Sequence, residues 1–312
     1  MPKATTEKLH HLAAGIDSQP AADVASILIQ GQISAAQSVE NAKAAITTAA
    51  MAMARTIRAG GSLYYIAAGS SGLMAAADAM ELGGTFGIPA DQIRIMMAGG
   101  IPTSAYMPGD TEDATADLEA NLANLSEEDT VLVVSASGST PYTLEAARLA
   151  VAAKSTLIAI ANNADALLFE MSTHAIYLPT APEIVSGSTR MGAGTAQKIA
   201  LNTLSTLMAL ELGHIYDGMM VNLRADNIKL RERARRIVTT ITGATLDAAS
   251  AAIEKSNGNV KYACLLAAGA QSITEASDLL GDSGGHLRPA LEKIRAKTRW
   301  ETTHHRTEGT RS

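Results

Sequence analysis

Residues Thr130–Ser135 read TVLVVS, an almost unbroken apolar run. A run of this kind belongs to a strand buried on both faces of a parallel sheet, because helices cover such a sheet above and below. It leads into Ser135-Ala136-Ser137-Gly138-Ser139-Thr140 and then Pro141, a residue favoured at the first position of a helix. The pattern occurs a second time. Ser62–Ala68 (SLYYIAA) predicts a strand, Ala68-Gly69-Ser70-Ser71-Gly72 a turn, and Leu73–Leu82 the helix that follows. Ile93–Met97, Thr156–Ala161 and His174–Leu178 predict three more strands, with a helix near Ala164–Met171; Gly99-Gly100-Ile101-Pro102 breaks the chain after the first of these strands. Strand alternating with helix specifies an α/β fold with an open, doubly wound, mainly parallel sheet. Ligands of such sheets bind beyond the carboxyl ends of the strands, where both Ser-Gly turns fall.

The flanks are helical. Val39, Ala42, Ile46, Ala50, Met53 and Ile57 recur at spacings of three and four and predict one amphipathic helix over residues 34–58. Met191–Leu212 predicts a long helix, and no strand is expected after Pro182. Residues 224–300 read as helix throughout, with a weak internal repeat. One copy carries Asn257-Gly258-Asn259-Val260-Lys261-Tyr262-Ala263, the other Ser283-Gly284-Gly285-His286-Leu287-Arg288-Pro289-Ala290. Helix, Gly-containing turn, helix in each copy predicts a small three- or four-helix bundle. The expected division is therefore a sheet domain over 1–223, including the N-terminal helical segment, and a helical domain over 224–312. The last dozen residues are polar and expected to fray.

Composition narrows the partners. With 25 basic and 31 acidic residues and no basic run, the chain is a poor ligand for nucleic acid or an anionic membrane. One cysteine, Cys264, excludes an internal disulfide framework and suits a reducing compartment; its apolar surroundings mark it as core. No signal peptide and no spanning segment is evident, so a cytoplasmic location is expected.

The two turns define the charged group of a ligand. Backbone N–H groups, serine and threonine hydroxyls and a positive helix end together suit one small dianion, such as a sugar phosphate. Ser70 and Ser71 belong to the first turn, Ser137, Ser139 and Thr140 to the second. A third segment, Ser186-Gly187-Ser188-Thr189-Arg190, precedes the long helix, and Ser188 and Arg190 can close on the same anion. A Ser N-cap on an ordinary strand-to-helix turn is the plainer use of each motif; two such turns in one sheet favour phosphate. The dinucleotide fingerprint and the P-loop are both absent, and the seven histidines show no zinc spacing, so no metal or cofactor is implied. Among the carboxylates, Glu81 falls at the end of the helix launched by the first turn, and Glu112 lies in Gly109-Asp110-Thr111-Glu112-Asp113 near the same crevice. Position alone leaves both open to ordinary surface or helix-end roles.

The segment Ala181-Pro-Glu-Ile-Val-Ser-Gly-Ser-Thr-Arg-Met-Gly-Ala-Gly-Thr-Ala-Gln-Lys198 resembles the signature of the N-acetylmuramic acid 6-phosphate etherases and the glucokinase regulatory protein, within the SIS (sugar isomerase) fold superfamily. Asp78-Ala79-Met80-Glu81, Thr85-Phe86-Gly87, the run Ser135–Pro141 and the helical tail are similar too, so the resemblance covers residues 6 to 292. It implies a homodimeric lyase that removes D-lactate from the C3 ether of N-acetylmuramate 6-phosphate. Elimination and then addition of water would leave N-acetylglucosamine 6-phosphate. By position, Glu81 matches the family's acid and Glu112 its proposed base; Ser70 and Ser71 would contact the sugar, and Ser137, Ser139 and Thr140 its phosphate. Departures are visible. Leu82-Gly83-Gly84 stands in place of Cys-Pro-Pro, and Gly192 in place of the signature's Lys, a charge expected near the substrate. Thr6-Glu7 is kept, but Leu9-His10-His11 replaces the Arg-Asn-Pro that follows it. Two other readings share the phosphate site: an aldose–ketose isomerase, which abstracts the C2 proton but expels nothing, and a sugar-phosphate sensor without turnover.

Overall fold

The structure, a computed structural model, describes residues 5–107, 109–223 and 228–308. The chain divides into two compact units, Met1–Glu81 with Ile88–Met208, and Leu82–Gly87 with Ala209–Ser312.

The first unit is built on five parallel strands, β1 (Leu63–Ala67), β2 (Ile93–Met97), β3 (Thr130–Ser135), β4 (Thr156–Ala161) and β5 (His174–Tyr177), in the order β2-β1-β3-β4-β5. This is the doubly wound sheet expected from the apolar runs. The three inner strands are buried almost throughout, whereas the edge strands β2 and β5 are partly exposed. Tyr64, Ile66, Val131, Val133, Leu157 and Ala159 alternate along the strands and form one core with Tyr142, Ala146, Ala147 and Ala150 of α5 (Pro141–Ala152). Strand order reverses between β1 and β3, whose register pairs Ala67 with Val134. That switch point opens a crevice at the strand ends.

The helix expected over 34–58 is two helices, α1 (Ala21–Ser38) and α2 (Lys43–Ala59), joined by a 3-10 turn over Val39–Ala42. Ser38 Oγ donates to Ala35 O (2.7 Å) and Asn41 Nδ2 to Ser38 O (3.0 Å), local bonds that compete with regular helix at the joint. Helix α3 spans Gly69–Phe86, longer at both ends than the expected Leu73–Leu82. Gly83 and Gly84 do not end it; Gly87, at φ +66, does, its N–H reaching Gly83 O. After the short helices α4 (Leu118–Asn121) and α6 (Leu167–Met171) comes α7, Gly192–Glu211, close to the expected span.

Asp78 fastens α3 inside this unit. Its buried carboxylate accepts from Tyr65 Oη (3.2 Å), Asn202 Nδ2 (2.7 Å) and Ser205 Oγ (2.9 Å), and burial, opposed by these bonds, holds its pKa above the usual carboxylate range. Asp78→Ala removes the acceptor that these three donors share, and a loss of about 3 kcal/mol in unfolding free energy is expected from urea titration.

The second unit contains a hairpin where no strand was expected. Ile215–Tyr216 (β6) and Met219–Met220 (β7) pair antiparallel across Asp217-Gly218, both at positive φ. Asp-Gly at these positions is the signature of a tight hairpin turn. Among the described residues the helices that follow are five, not three or four: α8 (Ile228–Thr242), α9 (Leu246–Lys255), α10 (Val260–Ala267), α11 (Ile273–Gly281) and α12 (Leu287–Glu308). With no Gly or Pro after Pro289 in its first turn, α12 runs on through residues expected to fray, up to Glu308; residues 309–312 lie outside the described residues. The helices enclose a core that includes Ile237, Val238, Val260, Leu265 and Leu291. Cys264 is buried there, as its surroundings suggest, and burial pushes its thiol up to about 12.

Lys261 is buried in the same core. Its Nζ donates to Gly285 O (3.0 Å), and desolvation pulls the amine from 10.5 down to about 8. A depressed amine costs stability while both folded and unfolded states are protonated, and the cost fades once the folded state releases its proton first. Relative to Lys261→Met, the wild-type protein should therefore gain roughly 3 kcal/mol of stability as pH rises from about 8 to 10.5, read from urea midpoints across that window.

Candidate active site

Ser135, at the last residue of β3, starts a knot of hydroxyls. Its Oγ lies 2.8 Å from Thr140 Oγ1 and 3.2 Å from Ser137 Oγ, and it accepts from Gly138 N at 3.0 Å. Thr140 occupies the cap position of α5, yet its side chain makes no bond to the helix. Three hydroxyls thus gather at the positive end of a twelve-residue helix. The loop holds this shape because Gly138 sits at φ +72, with no room for a side chain against Ala166. Asn163 pins it from behind, donating to Ser137 O at 3.1 Å.

Across the switch point, Ser70 and Ser71 lie in the first turn of α3, not in a preceding loop. Gly69, at φ +55, lets another element approach: a Cβ there would overlap Glu112 Oε1. Gly99, at φ +75, gives the same freedom to Thr111. Two absent side chains therefore allow the 3-10 turn Gly109–Asp113 to rest over the ends of β1 and β2 with Glu112 beside the N-terminus of α3.

These pieces enclose a cavity of about 210 Å³. Ser70, Ser71, Ser135, Ser137 and Thr140 line it together with Glu112, Thr6, Glu7, Gly187 and Thr189. Of the residues singled out in the sequence, Ser70, Ser71, Ser137, Thr140 and Glu112 come together here. Ser139 is exposed and lies outside the lining; Ser188 and Arg190 also lie outside it, although their neighbours Gly187 and Thr189 belong. Glu81 is exposed and does not line the cavity. Since α3 continues to Phe86, Glu81 sits inside the helix, eleven residues after Ser70, or roughly 16 Å along the axis. Sequence reasoning gave no site role to Ser135, whose strand-terminal position could have flagged it, or to Glu7, which the kept Thr6-Glu7 pair could have flagged.

The family of SIS domains matches residues 103–211. An N-acetylmuramic acid 6-phosphate etherase from Deinococcus radiodurans is 38% identical over 288 residues, covering 92% of this chain and 94% of that protein. This chain belongs to the N-acetylmuramic acid 6-phosphate etherase family. The etherase of Streptomyces coelicolor is 40% identical over 296 residues, covering 92% of this chain and 93% of its own length.

Two departures from the etherase pattern acquire a location. Gly192, where the signature has Lys, is outside the cavity lining and faces Glu183 and Ala35. The buried Glu183 carboxylate accepts from Gly192 N (2.9 Å) and Ala193 N (2.8 Å), capping α7 and closing the segment that carries Gly187 and Thr189. The missing lysine is therefore missing from a helix cap, not from the cavity wall. Gly83-Gly84, in place of the etherases' Pro-Pro, continues α3 as regular helix.

Proposed function

We propose that this chain is a carbon–oxygen lyase that releases D-lactate from N-acetylmuramate 6-phosphate and forms N-acetylglucosamine 6-phosphate. The observation that carries the reading is a carboxylate, Glu112, in one small cavity with the hydroxyl knot at the N-terminus of α5. Phosphate held by Ser135, Ser137 and Thr140 fixes one end of the open-chain sugar, so binding energy far from the reacting carbons is used for orientation. Glu112 then takes the C2 proton, which the neighbouring aldehyde makes acidic. The electron pair forms the C2–C3 double bond as the C3–O bond breaks, and lactate departs with a proton from the acid. Water adds to C3 of the unsaturated aldehyde, and C2 regains a proton. Ser70 and Ser71 contact the sugar; Ser139, Ser188 and Arg190 act at the rim.

The acid is Glu81, and a homodimer supplies it. Leu73 (36% exposed), Ala77, Met80 (58%) and Glu81 form one outward stripe of α3, a surface suited to a second copy of the chain. Across such an interface each subunit lends its Glu81 to the other's cavity. The enzyme acts in the cytoplasm, where the substrate's charge retains it; among the described residues no helix is long and apolar enough to cross a membrane. Purified protein incubated with N-acetylmuramate 6-phosphate should release lactate. Isomerisation of a ketose phosphate without lactate would mark an isomerase, and tight phosphosugar binding without product would mark a sensor.

A further inference from the structure

The 3-10 turn Thr5–Glu7 meets the phosphate loop through one side chain. Asn163 Oδ1 accepts from Thr6 N (3.3 Å), and Asn163 Nδ2 donates both to Thr6 Oγ1 (3.2 Å) and to Ser137 O (3.1 Å). Thr6 is buried by this contact, with 5% of its surface exposed. A segment 157 residues away in sequence is thereby fixed against the phosphate-binding turn. Its next residue, Glu7, lines the cavity. The proposed mechanism uses Glu112 and Glu81 and leaves Glu7 without a task.

We propose that Glu7 is a specificity-determining residue that accepts hydrogen bonds from the neutral donors beside the phosphorylated end of the sugar, its C4 and C5 hydroxyls, and that Asn163 is its positioning residue. An ionised carboxylate only accepts, so it matches hydroxyl groups and repels a second anion. Among the described residues lining the cavity are two carboxylates, Glu7 and Glu112, and no Lys, Arg or His. Next to Ser137, Glu7 therefore admits one orientation: phosphate on the hydroxyl knot, hydroxylated carbons against Glu7, and the lactate carboxylate away from it. This inference rests on the etherase reading and adds the group that sorts its substrates.

The test uses the full-length protein. Glu7→Ala is expected to raise KM for N-acetylmuramate 6-phosphate about 30-fold, with kcat changed less than about threefold, the range for one charge-assisted hydrogen bond made equally in ground and transition states. Inhibition by inorganic phosphate, which probes the hydroxyl knot alone, should not weaken. Asn163→Ala should raise KM similarly, and the double variant no further than either single one; Thr6→Val, a milder change, should move KM the same way. An unchanged KM in Glu7→Ala overturns the proposal. So does a large fall in kcat at constant KM, which would assign Glu7 to proton transfer, or a loss of phosphate inhibition, which would make it structural support. Should the wild-type protein release no lactate, the etherase reading fails separately. Calorimetric titration of wild type and Glu7→Ala with N-acetylglucosamine 6-phosphate then still decides the role of Glu7: about 30-fold weaker binding supports it, equal binding overturns it.

Discussion

Glu112→Gln should reduce lactate release about a thousandfold while leaving KM within a few-fold, the loss typical of removing a positioned general base. Gln keeps the size of the side chain and its place over Gly69 but cannot accept the C2 proton. The proposed phosphate anchor, the hydroxyls of Ser135, Ser137 and Thr140 on another loop, is untouched. Steady-state kinetics with N-acetylmuramate 6-phosphate reads both numbers. A variant that still turns over at the wild-type rate removes Glu112 from the chemistry.

A second large effect should follow from combining two inactive proteins. Glu81→Ala and Glu112→Ala are each expected to release lactate at least about a hundredfold more slowly than wild type. If Glu81 serves the partner's cavity, a mixed dimer has one site with both carboxylates and one with neither. Random exchange makes half of the dimers mixed, so activity should return to about one quarter of the wild-type value. A mixture that stays inactive after exchange places both groups in one subunit's site, or leaves Glu81 with no part in it. The roughly 16 Å of helix between Ser70 and Glu81 is what makes recovery the expected outcome.

The sheet was legible because its inner strands are buried on both faces and so write themselves as continuous apolar runs; Thr130–Ser135 and Thr156–Ala161 begin and end where the runs do. Helix ends were less so. Gly83-Gly84 looked like a stop, but glycine ends a helix only where the backbone turns left-handed, and that happens at Gly87. This difference moves Glu81 from a helix terminus to an exposed helical face. The short hairpin around Asp217-Gly218 carried its turn signal in plain view, but two-residue strands are too brief to show alternation. At the site, the hydroxyls were readable because each sits beside its strand in sequence. Glu7 showed only as half of the kept Thr6-Glu7 pair, since its place in the cavity depends on an asparagine 156 positions away that only folding brings to it.

The most direct measurement is the fate of oxygen when the reaction runs in ¹⁸O-enriched water. Elimination followed by hydration breaks the bond between sugar C3 and the ether oxygen and refills C3 from solvent. Fragment mass spectrometry, which separates C3 from the solvent-exchanging aldehyde oxygen at C1, should therefore find ¹⁸O at C3 of N-acetylglucosamine 6-phosphate and none in the released D-lactate. Label in lactate and not at C3 of the sugar, or no lactate at all, would contradict a lyase acting through Glu112.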